Sequence, residues 1–292
     1  MPSLSQPNPI RGMVWMIVSG LCVIAVSSLV KYTSTSAGYP PAQLAFVRYA
    51  WGVFLVLPVL PHVLRLRPTP REHMYLFGRG FFQFAGVIGW FYALAHIPLA
   101  DATAINYMQP IFATLLAALI LGERFAMRRM IAICVALVGA AIILRPGFRD
   151  VHFGHWAMLF GAFVFALGSL AGKKASETMP AEAIVFYLTI YVSLGLLIPA
   201  LWTWVPMSYE AIGVLAIVAV FATGAHYAMA KAFSFAPLSV TQPMTFLQLV
   251  WSVLIGLVIF HEGVDLWVIG GASLIMAASG YIAYREAQLK RG

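Results

Sequence analysis

Two glutamines, Gln109 and Gln248, stand 139 positions apart inside long apolar runs, and two glutamates, Glu123 and Glu262, close those runs at the same spacing. An amide far from water must find a partner or line a wet path. With Asn106 and Thr245 beside them, the glutamines can read the polar edge of a small molecule. A hydrogen bond between packed helices is the plainer use of the same groups. Asp101 and His226 offer proton-exchanging chemistry, because a histidine titrates near neutral pH. Arg48 offers a fixed cation for an anionic group or an interfacial anchor. The acids at the run ends oppose the dipole of the helices they terminate, so each needs a compensating partner and suits a helix-end or gating contact. Arg124, Arg128 and Arg129 lie close to Glu123, whereas no cation follows Glu262, which needs a helix start or the other half of the chain. Trp90, Tyr92, Tyr107 and Trp251 supply flat surfaces near these polar groups, and each serves packing or interfacial anchoring equally well.

The elements that hold these residues are set by composition. The chain has 292 residues, 62% hydrophobic and 10% charged, with mean hydropathy +0.88. A soluble domain carries about 25% charge. Breaking the chain at charged and Pro/Gly-rich points predicts ten apolar spans at 12–32, 43–63, 75–95, 101–121, 128–145, 154–173, 182–203, 211–231, 239–260 and 266–284. About 20 apolar residues cross a bilayer. The reading is an all-α integral membrane protein whose first span is retained rather than cleaved.

The net charge of +8 is distributed unevenly. With the N-terminus inside, the arginines and lysines from Arg11 through Arg65, Arg67, Arg71, Arg79, Lys173, Lys174 and Lys231 to Arg291 gather on one side, leaving Lys31, Arg145 and Arg149 on the other. That bias predicts cytoplasmic termini. It explains the basic charge without a nucleic-acid partner. Cys22 and Cys134 fall inside spans and read as packing residues. The sequence holds no P-loop, HExxH, GxSxG or Cys/His cluster, so it implies no enzyme, no metal and no cofactor.

Shifting the chain by 139 residues aligns 93–145 with 232–284 without a gap, matching Pro98-Leu99 to Pro237-Leu238, Gln109 to Gln248 and Glu123 to Glu262. Two halves follow, residues 1–150 and 151–292, each with five spans. An odd number inverts the second half relative to the first. Such 5+5 inverted repeats are built for transport near the membrane midplane. On helical spacing, Asp101, Ile105, Gln109 and Phe112 form one stripe, and Thr241, Thr245, Gln248 and Trp251 or Ser252 form its counterpart.

Three segments carry a family resemblance: AFVRYAWGVFLVLPV (45–59), the run from RGFFQFAGVIGWFYAL to LLAALILGERF (79–125), and AKAFSFAPLSVTQPMTFLQLVWSVLIGLVIFHE (230–262). They resemble the ten-helix EamA branch of the drug/metabolite transporter superfamily. SSLVKY (27–32) and LADATAI (99–105) are most similar to its S-adenosylmethionine and riboflavin uptake carriers. The resemblance implies a secondary carrier of a small organic metabolite in a cell inner membrane, with spans one to four and six to nine around a central cavity. Its partners would be that substrate and the bilayer, with a homodimer left open. An exporter of amino acids or their derivatives is the alternative, and a lipid translocator, membrane enzyme or sensor is a different class that the sequence supports less.

Overall fold

The structure, a computed structural model, describes residues 9–121, 127–145, 147, 150–175, 178–235, 244–245 and 247–289. The described residues are helical, without strands. In chain order the helices are α1 (Pro9–Ala37), α2 (Pro41–Val56), a 3-10 turn (Leu57–Val59), α3 (Leu60–Leu66), α4 (Pro70–His96), α5 (Leu99–Asn106), α6 (Met108–Leu121), α7 (Met127–Leu144), α8 (Phe153–Ala175), α9 (Ala181–Trp202), α10 (Tyr209–Phe235), α11 (Leu247–Ile259) and α12 (Leu266–Leu289).

Five helical stretches, Ile10–Thr35, Pro41–Leu66, Phe153–Gly172, Glu182–Trp202 and Tyr209–Met229, are long and apolar enough to cross a bilayer. α4 has the length, 27 residues, but carries Arg71, Glu72 and Arg79. Large apolar side chains cover the outside of the bundle, among them Phe54 at 63% exposure, Leu64 at 66% and Ile198 at 71%. Water would not tolerate so continuous a coat, and hydrocarbon would.

Prolines explain the breaks. Pro58 and Pro61 remove backbone donors between α2 and α3, where one turn tightens to 3-10 form. Pro110 lacks the N–H that would bond to Asn106, and its ring crowds that carbonyl. The helix accordingly ends at Asn106 and restarts at Met108, with the Tyr107 N–H turned back onto Ala104 at 3.2 Å.

The packing follows a rule. α4 lies on α8 as α1 lies on α10; α4 meets α9 as α10 meets α2; α6 meets α8 as α11 meets α1. α2 pairs with α9, and α7 with α12. Exchanging the two halves leaves this list unchanged, which is what a two-fold relation requires. The α7–α12 contact is close enough to need glycine on both sides: a Cβ on Gly139 would sit 2.6 Å from the Gly271 carbonyl oxygen, and one on Gly271 would sit 2.5 Å from that of Gly139.

Candidate functional site

The break at Tyr107 turns three polar side chains inward. Asn106 is half-buried, and its Oδ1 has no hydrogen-bond partner among the described residues. The Tyr107 hydroxyl donates to the Thr245 carbonyl at 3.0 Å, a bond from the first half to the second. Gln109 donates through Nε2 to Ser169 Oγ on α8 at 3.3 Å, and Ser169 is anchored in turn to the Phe165 carbonyl at 2.8 Å.

In the other half, Gln248 packs its side chain against Gly20 of α1, where an added Cβ would stand 3.2 Å from its Cγ. Each glutamine therefore meets a helix of the opposite half. Trp251 is 37% exposed, as are Val250, Leu254 and Leu257 of α11 to a somewhat greater degree. Thr241 and Glu123 lie outside the described residues. His226 belongs to α10, and its side chain is likewise not described.

Trp90 is half-buried beside Phe91. Tyr92 lies away from the glutamines: its ring stacks on His96 at 4.0 Å at the end of α4, and His96 stacks on His152. Arg48 places its guanidinium 4.0 Å from the Tyr49 ring centroid, with Nε buried and without a hydrogen-bond partner among the described residues.

One end of the bundle is closed by ionic contacts. Glu262 follows a left-handed turn at His261 (φ 54°), and its N–H reaches back to the Gly256 carbonyl at 2.9 Å. A Cβ at Gly256 would meet Glu262 Oε2 at 2.6 Å, so the glycine makes room for the carboxylate. Oε1 pairs with Lys31 Nζ at 2.8 Å, and Oε2 accepts the Leu99 N–H at 2.9 Å. Lys31 also donates to the Leu94 and Ile97 carbonyls at 3.3 and 2.6 Å. The cation thus satisfies the C-terminus of α4 while the anion satisfies the N-terminus of α5. The helix start and the opposite half that the sequence required for Glu262 are both supplied here.

Next to it, Asp101 Oδ2 is 3.0 Å from His155 Nε2, and both side chains are buried. His155 Nδ1 lies 3.1 Å from the His152 carbonyl. Both ring nitrogens of His155 thus lie within hydrogen-bond distance of an oxygen, and the tautomer sets which of them donates. Arg145 and Asp265 form a further ion pair, and Asp265 also accepts the Trp267 N–H at 2.9 Å at the start of α12. A shallow pocket lined by Asp101, Gly256, Glu262 and Asp265 opens at this end, away from the glutamines. His155 was not expected from sequence: it falls in the first turn of a span, and nothing local marks it as the partner of a residue 54 positions earlier.

The chain matches the profile of the EamA-like transporter family twice, over residues 10–145 and 152–284. It is 31% identical over 290 residues to a riboflavin transporter of Vibrio cholerae, covering 97% of this chain and 96% of that protein. An S-adenosylmethionine uptake transporter of Rickettsia prowazekii is 27% identical over 282 residues, with 95% and 94% covered. A pseudopaline exporter of Pseudomonas aeruginosa is 28% identical over 270 residues, with 91% and 94% covered. A solved crystal structure with 19% identity superposes at a TM-score of 0.59 over 94% of this chain and 98% of that one, which shows a shared fold. The doubled profile match, the exchange-invariant helix packing and the apolar coat place this multi-pass membrane protein in the EamA-like transporter family.

Proposed function

We propose that the protein is a secondary carrier that moves a small organic metabolite, similar to riboflavin or S-adenosylmethionine, across the cell inner membrane by alternating access. The observation that carries the reading is that Gln109 and Gln248 each contact a helix of the opposite half, Gln109 at Ser169 and Gln248 at Gly20. A substrate held by these groups feels any rocking of one half against the other. The Lys31–Glu262 pair would hold one end shut while the substrate sits at mid-depth. Thr245, Asn106, Tyr107 and Trp90 complete the polar and aromatic lining. Asp101 with His155 is the pair placed to exchange a proton during the cycle, with His226, Arg48 and Glu123 as further coupling or gating residues.

The architecture belonging to this reading is ten spans as a 5+5 inverted repeat meeting between residues 150 and 151. Span four is α5 with α6, and both termini are cytoplasmic. A fluorescent protein fused to the C-terminus should then mature in the cytoplasm.

Uptake of labelled riboflavin and S-adenosylmethionine into proteoliposomes tests the function. Saturable uptake of one of them, lost in Gln109→Leu and Gln248→Leu, is the expected result. Uptake unchanged in both variants would remove the glutamines from the site, and no movement of either probe in either direction would remove these substrates. Export is the second reading, favoured by the pseudopaline exporter relative, and loading the probes inside the vesicles reads it directly.

A further inference from the structure

Ser169, on α8, decides which way round Gln109 presents its amide. The Ser169 Oγ lies 2.8 Å from the Phe165 carbonyl oxygen, one turn earlier on the same helix. A carbonyl oxygen only accepts, so at this distance the hydroxyl proton lies between the two oxygens and is committed there. Toward Gln109, 3.3 Å away, Oγ then offers lone pairs and no proton. It receives the Nε2 N–H and would repel Oε1. Nitrogen therefore faces α8 and oxygen faces away, and among the described residues Ser169 is the one hydrogen-bond partner of Gln109.

Asn106 adds an acceptor of the same kind. It stands three residues before Gln109, and Tyr107 between them keeps helical angles (φ −66°, ψ −7°), so the two side chains share a face. Its Oδ1 is buried and has no hydrogen-bond partner among the described residues, a costly condition unless a ligand answers it. Its main-chain carbonyl closes α5, where the helix dipole is negative, and Pro110 brings that carbonyl no N–H. The proton of the Tyr107 hydroxyl is committed as well, to the Thr245 carbonyl at 3.0 Å.

We propose that Ser169 is a positioning residue for Gln109, and that the substrate is read there through its hydrogen-bond donors: an N–H edge such as a ring imide or an exocyclic amine, rather than a carboxylate. The inference rests on the carrier reading and deepens it by naming the edge of the metabolite that meets Gln109. A donor edge satisfies Oε1, whereas an oxyanion would set oxygen against oxygen.

The test uses the purified full chain and two pairs of probes. One pair is riboflavin, whose imide carries an N–H, and its N3-methyl derivative; the other is S-adenosylmethionine, whose adenine carries an exocyclic amine, and its N6,N6-dimethyl derivative. Equilibrium dialysis gives each Kd, and proteoliposome uptake gives KM and kcat. The parent should bind the donor-bearing member of at least one pair about tenfold or more tightly, since methylation leaves the site's acceptor unmet. Ser169→Ala lets the amide turn and should bring that ratio toward one, raising KM with kcat and melting temperature little changed. Ser169→Thr keeps the hydroxyl and should restore the ratio. Gln109→Leu should abolish it, which keeps the inference testable where Ser169→Ala fails to fold. A parent that binds none of the probes, or binds both members of each pair equally, overturns the donor edge. A ratio unchanged in Ser169→Ala reports the bulk of the methyl groups alone and overturns the role of Ser169. The expected ratio without movement of any probe in either direction sinks the carrier reading alone. Movement without the ratio sinks this inference alone.

Discussion

Lys31 and Glu262 meet at 2.8 Å with side-chain exposures of 7% and 15%, although 231 positions of chain separate them. Each also satisfies backbone that the other cannot reach: Lys31 takes the last carbonyls of α4, and Glu262 takes the first N–H of α5. The reversal at Pro98 is therefore gripped from two sides by one ion pair.

Removing one member should cost more than removing both. Lys31→Met leaves a buried carboxylate without its cation, and breaking a buried pair in this way costs about 3–5 kcal/mol. The double variant Lys31→Met/Glu262→Met should recover part of that loss, because no lone charge remains. Gly256→Ala should mimic a weaker break by pushing the carboxylate aside, given the 2.6 Å approach of its added Cβ. Chemical denaturation in detergent reads all three, and a Lys31→Met protein as stable as the parent would show that the pair carries no weight.

Neighbouring glycines on α12 should respond oppositely to alanine. At Gly271 the new methyl meets the Gly139 carbonyl at 2.5 Å, backbone against backbone, so the helices must part. Overpacking of this kind costs about 1–3 kcal/mol. At Gly270 nothing lies within 4 Å, and alanine relieves glycine's entropy cost, a gain of about 0.5–1 kcal/mol. Equal melting shifts for Gly270→Ala and Gly271→Ala would contradict the close crossing.

The start of α4 should give a small acid-sensitive increment of stability. Glu72, in the first turn outside the span, accepts the Thr69 N–H at 2.7 Å and the Thr69 hydroxyl at 2.8 Å, while its own N–H donates to that hydroxyl. The Thr69 backbone bond first, then the Thr69 and Thr178 side chains, hold its carboxyl below the usual value near 4.5. A lowered folded value means that the contribution is complete above about pH 4.5 and lost as pH falls through the folded value. The melting gap between the parent and Glu72→Gln should be constant near neutrality and close in acid. A gap that widens in acid would reverse the sign and refute the box. Thr69→Ala should cost about 1 kcal/mol as a lost cap.

The sequence reveals where helices run better than which way they face. Hydropathy and scarce charges locate the spans, and Pro110 announces the break at Tyr107 through a missing donor. Gln109, Gln248 and Glu262 stand out because polar residues are rare in an apolar background. Their neighbours do not. Apart from Gln248 and Ser252, α11 is apolar, so periodicity leaves open whether Trp251 or Ser252 continues the stripe; Ser252 is buried and Trp251 is 37% exposed. Tyr92 was grouped with the mid-depth aromatics, yet four residues of helix carry it to the end occupied by His96. His155 and Lys31 gain meaning only from partners 54 and 231 positions away, and no local rule encodes such distances. Arg79 counts in the charge bias by its place near a span end, and only the structure lays its side chain along α8.

The tightest helix pairings all cross between halves, α4 with α8, α1 with α10, α2 with α9 and α7 with α12. During synthesis, the first half therefore enters the membrane before the surfaces it needs have been made. Until the ribosome delivers the second half, Gly139, Lys31 and the inner face of α4 have only lipid or one another for company. A truncated chain would be an orphan for quality control, and two fragments produced together could reassemble into one working unit. The same logic lets two complete chains exchange halves, so crowding during biogenesis is a hazard inherent to this design.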